Sequence, residues 1–382
     1  MAESSHHSAA VAGSEQTNFS VTGLLLLVLA VMILIFLADR FLAQLEQREL
    51  RQAAKREYDA GEALRKEGKP AEAISHFLQA HTLVRGDKDY ALAVADAEIA
   101  SRHGEAARRI VEELLTAEPN DARANLRMAR LLVTEGQFVS ADAYYHRAIY
   151  GTWPPGSSNE RMLDARLELA KMLAQHGSQQ ELLSETLALL DSAPESAETM
   201  RQVAPLLLRA GSGNRAAAAY RFLVRADRND AEAWEGLGRA DLEIGDYRAA
   251  ESAFSSALDA KPDDTAIRRQ VQLAAGLADM DPTPRRLATR EKLRRSEDVL
   301  AMAINDAKVC LAGKPAPAAV KAKLDEADQL QAEQIKGTFT NEEAEARLDA
   351  AESIWAMRSS ICSHRAAEDD PLPIIMSKLA AR

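Results

Sequence analysis

The chain has 382 residues, 27% of them charged and 47% hydrophobic, a globular balance that leaves room for two or three compact domains and excludes extensive disorder. Its formal charge of −11 excludes a nucleic-acid binder as the default reading. Only 5% of residues are aromatic and alanine is abundant, which favours helices packed closely through small side chains.

The first segment, 1–18, reads as a polar tail, and its adjacent His6-His7 pair carries no metal expectation there. Residues 19–38 are predicted to cross a membrane. No charged residue occurs from Gln16 to Ala38, and Val21 to Leu37 reads VTGLLLLVLAVMILIFL, close to the ~20 apolar residues that span a bilayer. A cleaved signal peptide would need a basic leader and a small-residue cleavage site. Residues 1–20 hold no Lys or Arg, and FLADRFLAQ offers no such site, so a retained anchor is expected. Arg40, Arg48, Arg51, Lys55 and Arg56 follow the span, and the rule that basic flanks stay inside puts the large C-terminal part in the cytoplasm. A juxtamembrane helix is expected over 39–53.

From Ala54 the sequence repeats with a period of 34 residues. Units run 54–87, 88–121, 122–155, 163–196, 197–230 and 231–264, with Gly156 to Met162 as a seven-residue insertion. A small residue recurs at Gly61, Ala95, Ala129, Ala170, Ala204 and Gly238. A second column holds Ala73, Ala107, Ala141, Leu182, Ala216 and Ala250, and a third Phe77, Val111, Tyr145, Thr186, Tyr220 and Phe254. Pro119, Pro194 and Pro262 close their units, since proline cannot continue a helix. Within the last unit, Trp234, Leu237, Gly238 and Asp241 share one helical face, Gly245-Asp246 is a stop and turn, and Ala250, Phe254 and Ala257 line a second helix. One such hairpin cannot bury its face alone; stacked neighbours can.

This pattern resembles the tetratricopeptide repeat (TPR) family over Ala54 to Asp264. The resemblance implies an all-α helix-turn-helix solenoid of about six repeats behind a single N-terminal transmembrane helix, and a protein-binding function. Trp153-Pro154-Pro155 before the insertion, and Leu182 with Thr186 in the fourth unit, predict altered stacking between units three and four. A cap helix is expected over 265–280, then a linker at Asp281-Pro282-Thr283-Pro284.

The region 285–366 reads as three amphipathic helices forming a small bundle. Leu293, Leu300, Ile304, Ala307 and Leu311 line the first; Val320, Leu324, Ala327 and Ile335 the second; Leu348, Ala351, Trp355 and Cys362 the third, which opens on a capping-box match from Thr340 to Glu343. Gly313 to Pro317 separates the first two. Residues 367–382, including PLPIIM, read as a tail that is either loosely packed or a tethered peptide motif. Cys310 and Cys362 have no metal-site spacing, and neither a disulfide nor a zinc site is expected; they read as small buried apolar residues.

No phosphate loop, His-Glu-x-x-His, nucleophile elbow or dinucleotide fingerprint occurs. His76, His81, His103, His146 and His176 share no ligand spacing. No enzyme activity, cofactor, metal or small-molecule substrate is therefore expected. What the resemblance implies is a groove lined by the outward face of each first helix. Its early places, Lys55, Glu62, Asp89 and Asp96, are mixed to acidic; later ones offer Arg123, Arg127, Arg130, Lys171, Arg201, Arg209 and Arg239. Those cations suit an acidic peptide segment or carboxylate gripped by Arg forks, unless neighbouring acids such as Asp164, Glu198 and Glu232 neutralise them. The expected function is a membrane-anchored scaffold or adaptor for a protein partner. The alternative is an envelope-side assembly or chaperone-like factor for exported proteins.

Overall fold

The computed structural model describes residues 21–156, 158–312, 317–333, 339–362 and 370–381. The polar tail, the first two residues of the expected span, the 313–316 connection and Ile335 lie outside them. Among the described residues there are seventeen helices and no strand, so the fold is all-α, as the repeat pattern implies. The chain divides between Trp153 and Pro154 into two compact units.

The first unit holds α1 (Val21–Lys66), α2 (Pro70–Leu83), α3 (Lys88–Ala100), α4 (Gly104–Ala117), α5 (Ala122–Thr134) and α6 (Phe138–Ile149). These are three hairpins, α1 with α2, α3 with α4 and α5 with α6. Helix α1 is 46 residues long and does not break between the apolar segment and the first repeat. The juxtamembrane stretch is therefore one helix with both neighbours, because no Gly or Pro interrupts residues 24–60.

The second unit opens with three more hairpins: α7 (Ser158–His176) with α8 (Gln179–Ser192), α9 (Ala197–Arg209) with α10 (Gly213–Ala226), and α11 (Ala231–Ile244) with α12 (Tyr247–Ala260). Most of the insertion becomes helix, since α7 starts at Ser158, five residues before the repeat register. A single helix α13 (Thr265–Met280) follows, then α14 (Thr289–Leu311), α15 (Ala318–Ala332), α16 (Asn341–Ile361) and α17 (Pro371–Ala380).

The recurrent columns are where the hairpins close. Ala73, Phe77, Ala95, Ala107, Val111, Ala129, Ala141, Ala170, Thr186, Ala204, Ala216, Ala250 and Phe254 are all fully buried. Gly61 and Gly238 are required by a ring. A Cβ on Gly61 would lie 2.6 Å from Phe77 Cε1, and one on Gly238 2.6 Å from Phe254 Cε1. Four of the first helices and α13 also start on a short polar cap, a further column 34 residues apart within each unit: Asp87 and Asp121 on α3 and α5, and Ser196, Asp230 and Asp264 on α9, α11 and α13, each accepting from a backbone N–H of the first turn.

Beyond the repeats, α14 and α16 run parallel in one register. Lys292 pairs with Glu345 at 3.3 Å, Glu297 with Arg347 at 3.3 Å, and Asp306 with Arg358 at 2.6 Å. At the ends of the two helices Cys310 and Cys362 form a disulfide, with Cα atoms 6.3 Å apart. This corrects the expectation of free buried cysteines. Sequence spacing cannot reveal a bridge across 52 residues; it follows from α15 returning the chain so that α16 retraces α14.

The last segment is a docked helix, neither a loose tail nor a free motif. Leu372, Ile375, Met376 and Leu379 of α17 are buried in one apolar cluster with Leu277, Leu300, Leu348 and Ile354.

Candidate functional site

In both units the first helices of consecutive repeats lie side by side, α3 by α5 in one and α7, α9 and α11 in the other. Of the cations named for the groove, Arg123, Arg127 and Arg130 stand on α5, Lys171 on α7, Arg201 and Arg209 on α9, and Arg239 on α11. What those cations do differs between the two units.

In the first unit the three arginines of α5 meet acids of α3. Arg123 donates to Asp89, 34 residues earlier, and lies 3.7 Å from Asp121. Arg127 grips Asp96 with two hydrogen bonds of 3.1 and 2.7 Å, the bidentate geometry that fixes both partners. Arg130 lies 3.9 Å from the same carboxylate. Asp96 and Asp89 occupy the outward face of the preceding first helix, so the face of this unit is a ladder of opposite charges between successive repeats. Beside it, Tyr58 of α1 and Tyr90 of α3 contact each other with ring centroids 5.3 Å apart. Burial raises both phenols above the ordinary value.

In the second unit, compensation is sparser. Lys171 on α7 is exposed and forms no ion pair among the described residues. Arg209 on α9 donates to the Ala174 carbonyl of α7 at 3.0 Å, a contact that leaves its charge unopposed. Arg239 on α11 stands 3.6 Å from Glu235, with its side chain 54% exposed. Arg201 donates to Asp230 at 2.7 Å. Burial pushes the Asp230 carboxyl up, but the Ala233 N–H and Arg201 together outweigh it and hold the group below its ordinary value.

The acids that pair with these cations are Asp89, Asp96, Asp121, Asp230 and Glu235. Asp164, Glu198 and Glu232, the ones the sequence suggested, make none of these pairs. A usable signal was present: residues 34 apart fall at equivalent places on adjacent first helices, as Asp89 and Arg123 do, and residues 31 apart fall one helical turn away, as Asp96 and Arg127 do. The aromatic pair carried no such signal, since Tyr58 and Tyr90 sit in different columns. Among the described residues no group of three or more His, Cys, Asp or Glu is arranged to hold a metal.

A family model described as tetratricopeptide repeat matches residues 207–273. No curated protein matches the sequence. Among solved structures, the chain is similar to YrrB, described as a TPR protein with an unusual peptide-binding site, at 15% identity and a TM-score of 0.42, covering 51% of this chain and 97% of that one. It is similar to PilW, described as a widely conserved type IV pilus biogenesis factor, at 14% identity and 0.44, covering 59% and 99%. The C-terminal part of a TPR repeat-containing protein from Cytophaga hutchinsonii matches at 12% identity and 0.45, covering 64% and 94%. No functional statement follows from likenesses of this size.

Proposed function

We propose that this chain, whose residues 207–273 match a tetratricopeptide repeat model, is a membrane-anchored scaffold whose first-helix faces hold a protein or peptide partner. The contrast between the two units carries the reading. Arg123 and Arg127 are engaged by Asp89 and Asp96, so they brace repeat against repeat. Lys171, Arg209 and Arg239 stand on consecutive first helices with a single carboxylate, Glu235, paired among them. Positive charge on a solvent-facing row within a chain of net −11 suits an acidic segment of a partner. Arg201 and Arg130 have part of their charge already spent, on Asp230 and Asp96 respectively.

The disulfide supports an extracytoplasmic position for the repeats, the envelope-side alternative, because such bridges persist where thiols are not kept reduced. The basic residues after the apolar helix favour the opposite side, although Lys55 among them is already paired with Asp59 at 2.8 Å. The uninterrupted course of α1 supports an anchor: residues 38–46, where cleavage would have to fall, are helical and continuous with the first repeat.

Capture of crosslinked protein in intact membranes tests the partner row. Reversing Lys171 and Arg239 together to Glu is expected to reduce capture at least ten-fold at unchanged thermal stability, and unchanged capture sinks the proposal. Arg127→Glu serves as the contrast, lowering the melting temperature through the lost Asp96 pair. Sidedness is read separately: a thiol reagent that cannot cross membranes should label Cys310 and Cys362 in whole cells only after an impermeant reductant, and labelling that requires lysis would return the repeats to the cytoplasm.

A further inference from the structure

The C-terminal helix α17 is ten residues long, shorter than the about 12–15 residues at which an isolated helix is even marginal in water. Its hold on the chain is therefore its seat. Leu372, Ile375, Met376 and Leu379 fall at spacings of 0, 3, 4 and 7, one face of a helix, and all four are at most 3% exposed. They enter a groove walled by α13, α14 and α16. One cation completes the fit. Lys378 Nζ donates to the Gly245 carbonyl at 2.7 Å, pairs with Asp281 at 2.6 Å and lies 4.6 Å from the Tyr247 ring centroid.

The walls of this groove are held by contacts that do not involve α17. Helices α14 and α16 are joined by the Cys310–Cys362 bridge and by the Asp306–Arg358 and Glu297–Arg347 pairs. Helices α13 and α14 are joined through Arg295, which donates to the Ala278 and Asp281 carbonyls at 2.7 and 2.9 Å. A braced receptor and an occupant too short to be helical alone are the two halves of an exchangeable site. We propose that this groove is a helix-recognition site, filled in cis by α17 and open in trans to a partner helix with apolar residues at i, i+3, i+4 and i+7 and a Lys at i+6. The Lys would grip the Gly245 turn of the last repeat, so occupancy of the groove is sensed at the repeat array. The site is separate from the first-helix faces and does not depend on them.

The test uses the full chain in detergent with a protease site placed between Cys362 and Asp370, cut after folding. A fluorescent peptide of residues 370–381 is the probe. The cut chain is expected to keep the helicity of α1–α16 and to take up the peptide. The intact chain, whose own helix is held at a local concentration on the order of mM by its covalent link, should take up at least ten-fold less. Peptides carrying Lys378→Glu or Ile375→Asp should bind at least ten-fold more weakly. Equal uptake by cut and intact chains would overturn the proposal, as would no uptake by the cut chain, equal binding of the substituted peptides, or loss of helix beyond α17 on cutting.

Discussion

One methyl group separates Gly61 and Gly238 from the alanines that fill their column in the other four repeats, and at both glycines a phenylalanine ring occupies the space a Cβ would need. Phe77 and Phe254 drive a ring edge onto the glycine, where a Cβ would lie 2.6 Å away. Gly238→Ala should cost about 1–3 kcal/mol by overpacking, read as a lowered urea midpoint, and Phe254→Leu in the same chain should recover most of it. That pairing was legible in the sequence, since both residues recur at fixed offsets. The pairs around Arg295 and Tyr247 were not, because their partners come from elements without a repeat register. Two titrations expose them. Hydrogen bonds from Arg294 and Arg295 hold the Glu291 carboxyl at about 2. A depressed acid contributes stability above its ordinary value near 4.5 and loses it as pH falls toward about 2, so Glu291→Gln should flatten the acid limb of the melting-temperature profile across that interval. Burial, with a contribution from Asp281, pushes the Tyr247 phenol up to about 12. Stability from keeping it neutral is complete below about 10 and is lost as pH rises through about 12. The phenolate absorbance change near pH 12 should shrink by one tyrosine's share of the seven in Tyr247→Phe.

Helices α14, α15 and α16 show what an element gains from its neighbours. The first and third are registered by ion pairs and a disulfide closing a 52-residue separation; removing it by Cys310→Ala with Cys362→Ala should cost about 2–4 kcal/mol on the chain-entropy account, with helix content unchanged by circular dichroism. The middle one is poorly held. Of its fifteen residues only Val320 and Ala327 are buried, and a cleft of about 930 Å³ separates it from α16. Its amides should exchange with deuterium well before those of α14 and α16, since opening a helix with so few buried contacts is cheap; equal protection in all three would contradict this. Helical periodicity identified these three segments, and capping chemistry fixed the start of α16 at Thr340. Periodicity holds no information on which helix lies beside which. The disulfide and the seat of α17 depend on that adjacency, so both escaped the sequence reading.

At the scale of the whole chain, the repeat hairpins were legible because a solenoid writes its packing as a short period. A residue and its neighbour in the next repeat are 34 positions apart, close enough for columns to declare themselves. The charge pattern of the first-helix face was legible only as a list of cations; whether each is spent on a neighbouring acid is a property of the stack. For the anchored chain proposed above, the sidedness of the repeats hung on flanking charge until the disulfide brought an independent argument. One further property follows from the unbroken course of α1. Between Ala38 and Ala54 the helix rises about 24 Å at ~1.5 Å per residue. If the apolar end of α1 spans a membrane, as proposed, the first repeat is carried at a set height and the tilt of the span is passed directly to the hairpin above it. A Gly/Ser linker of the same residue count would let the repeats tumble. The stiff helix surrenders that freedom once, at insertion, leaving less to lose at each encounter. Meeting a partner in the same membrane then becomes a search in two dimensions between surfaces already held at a common level.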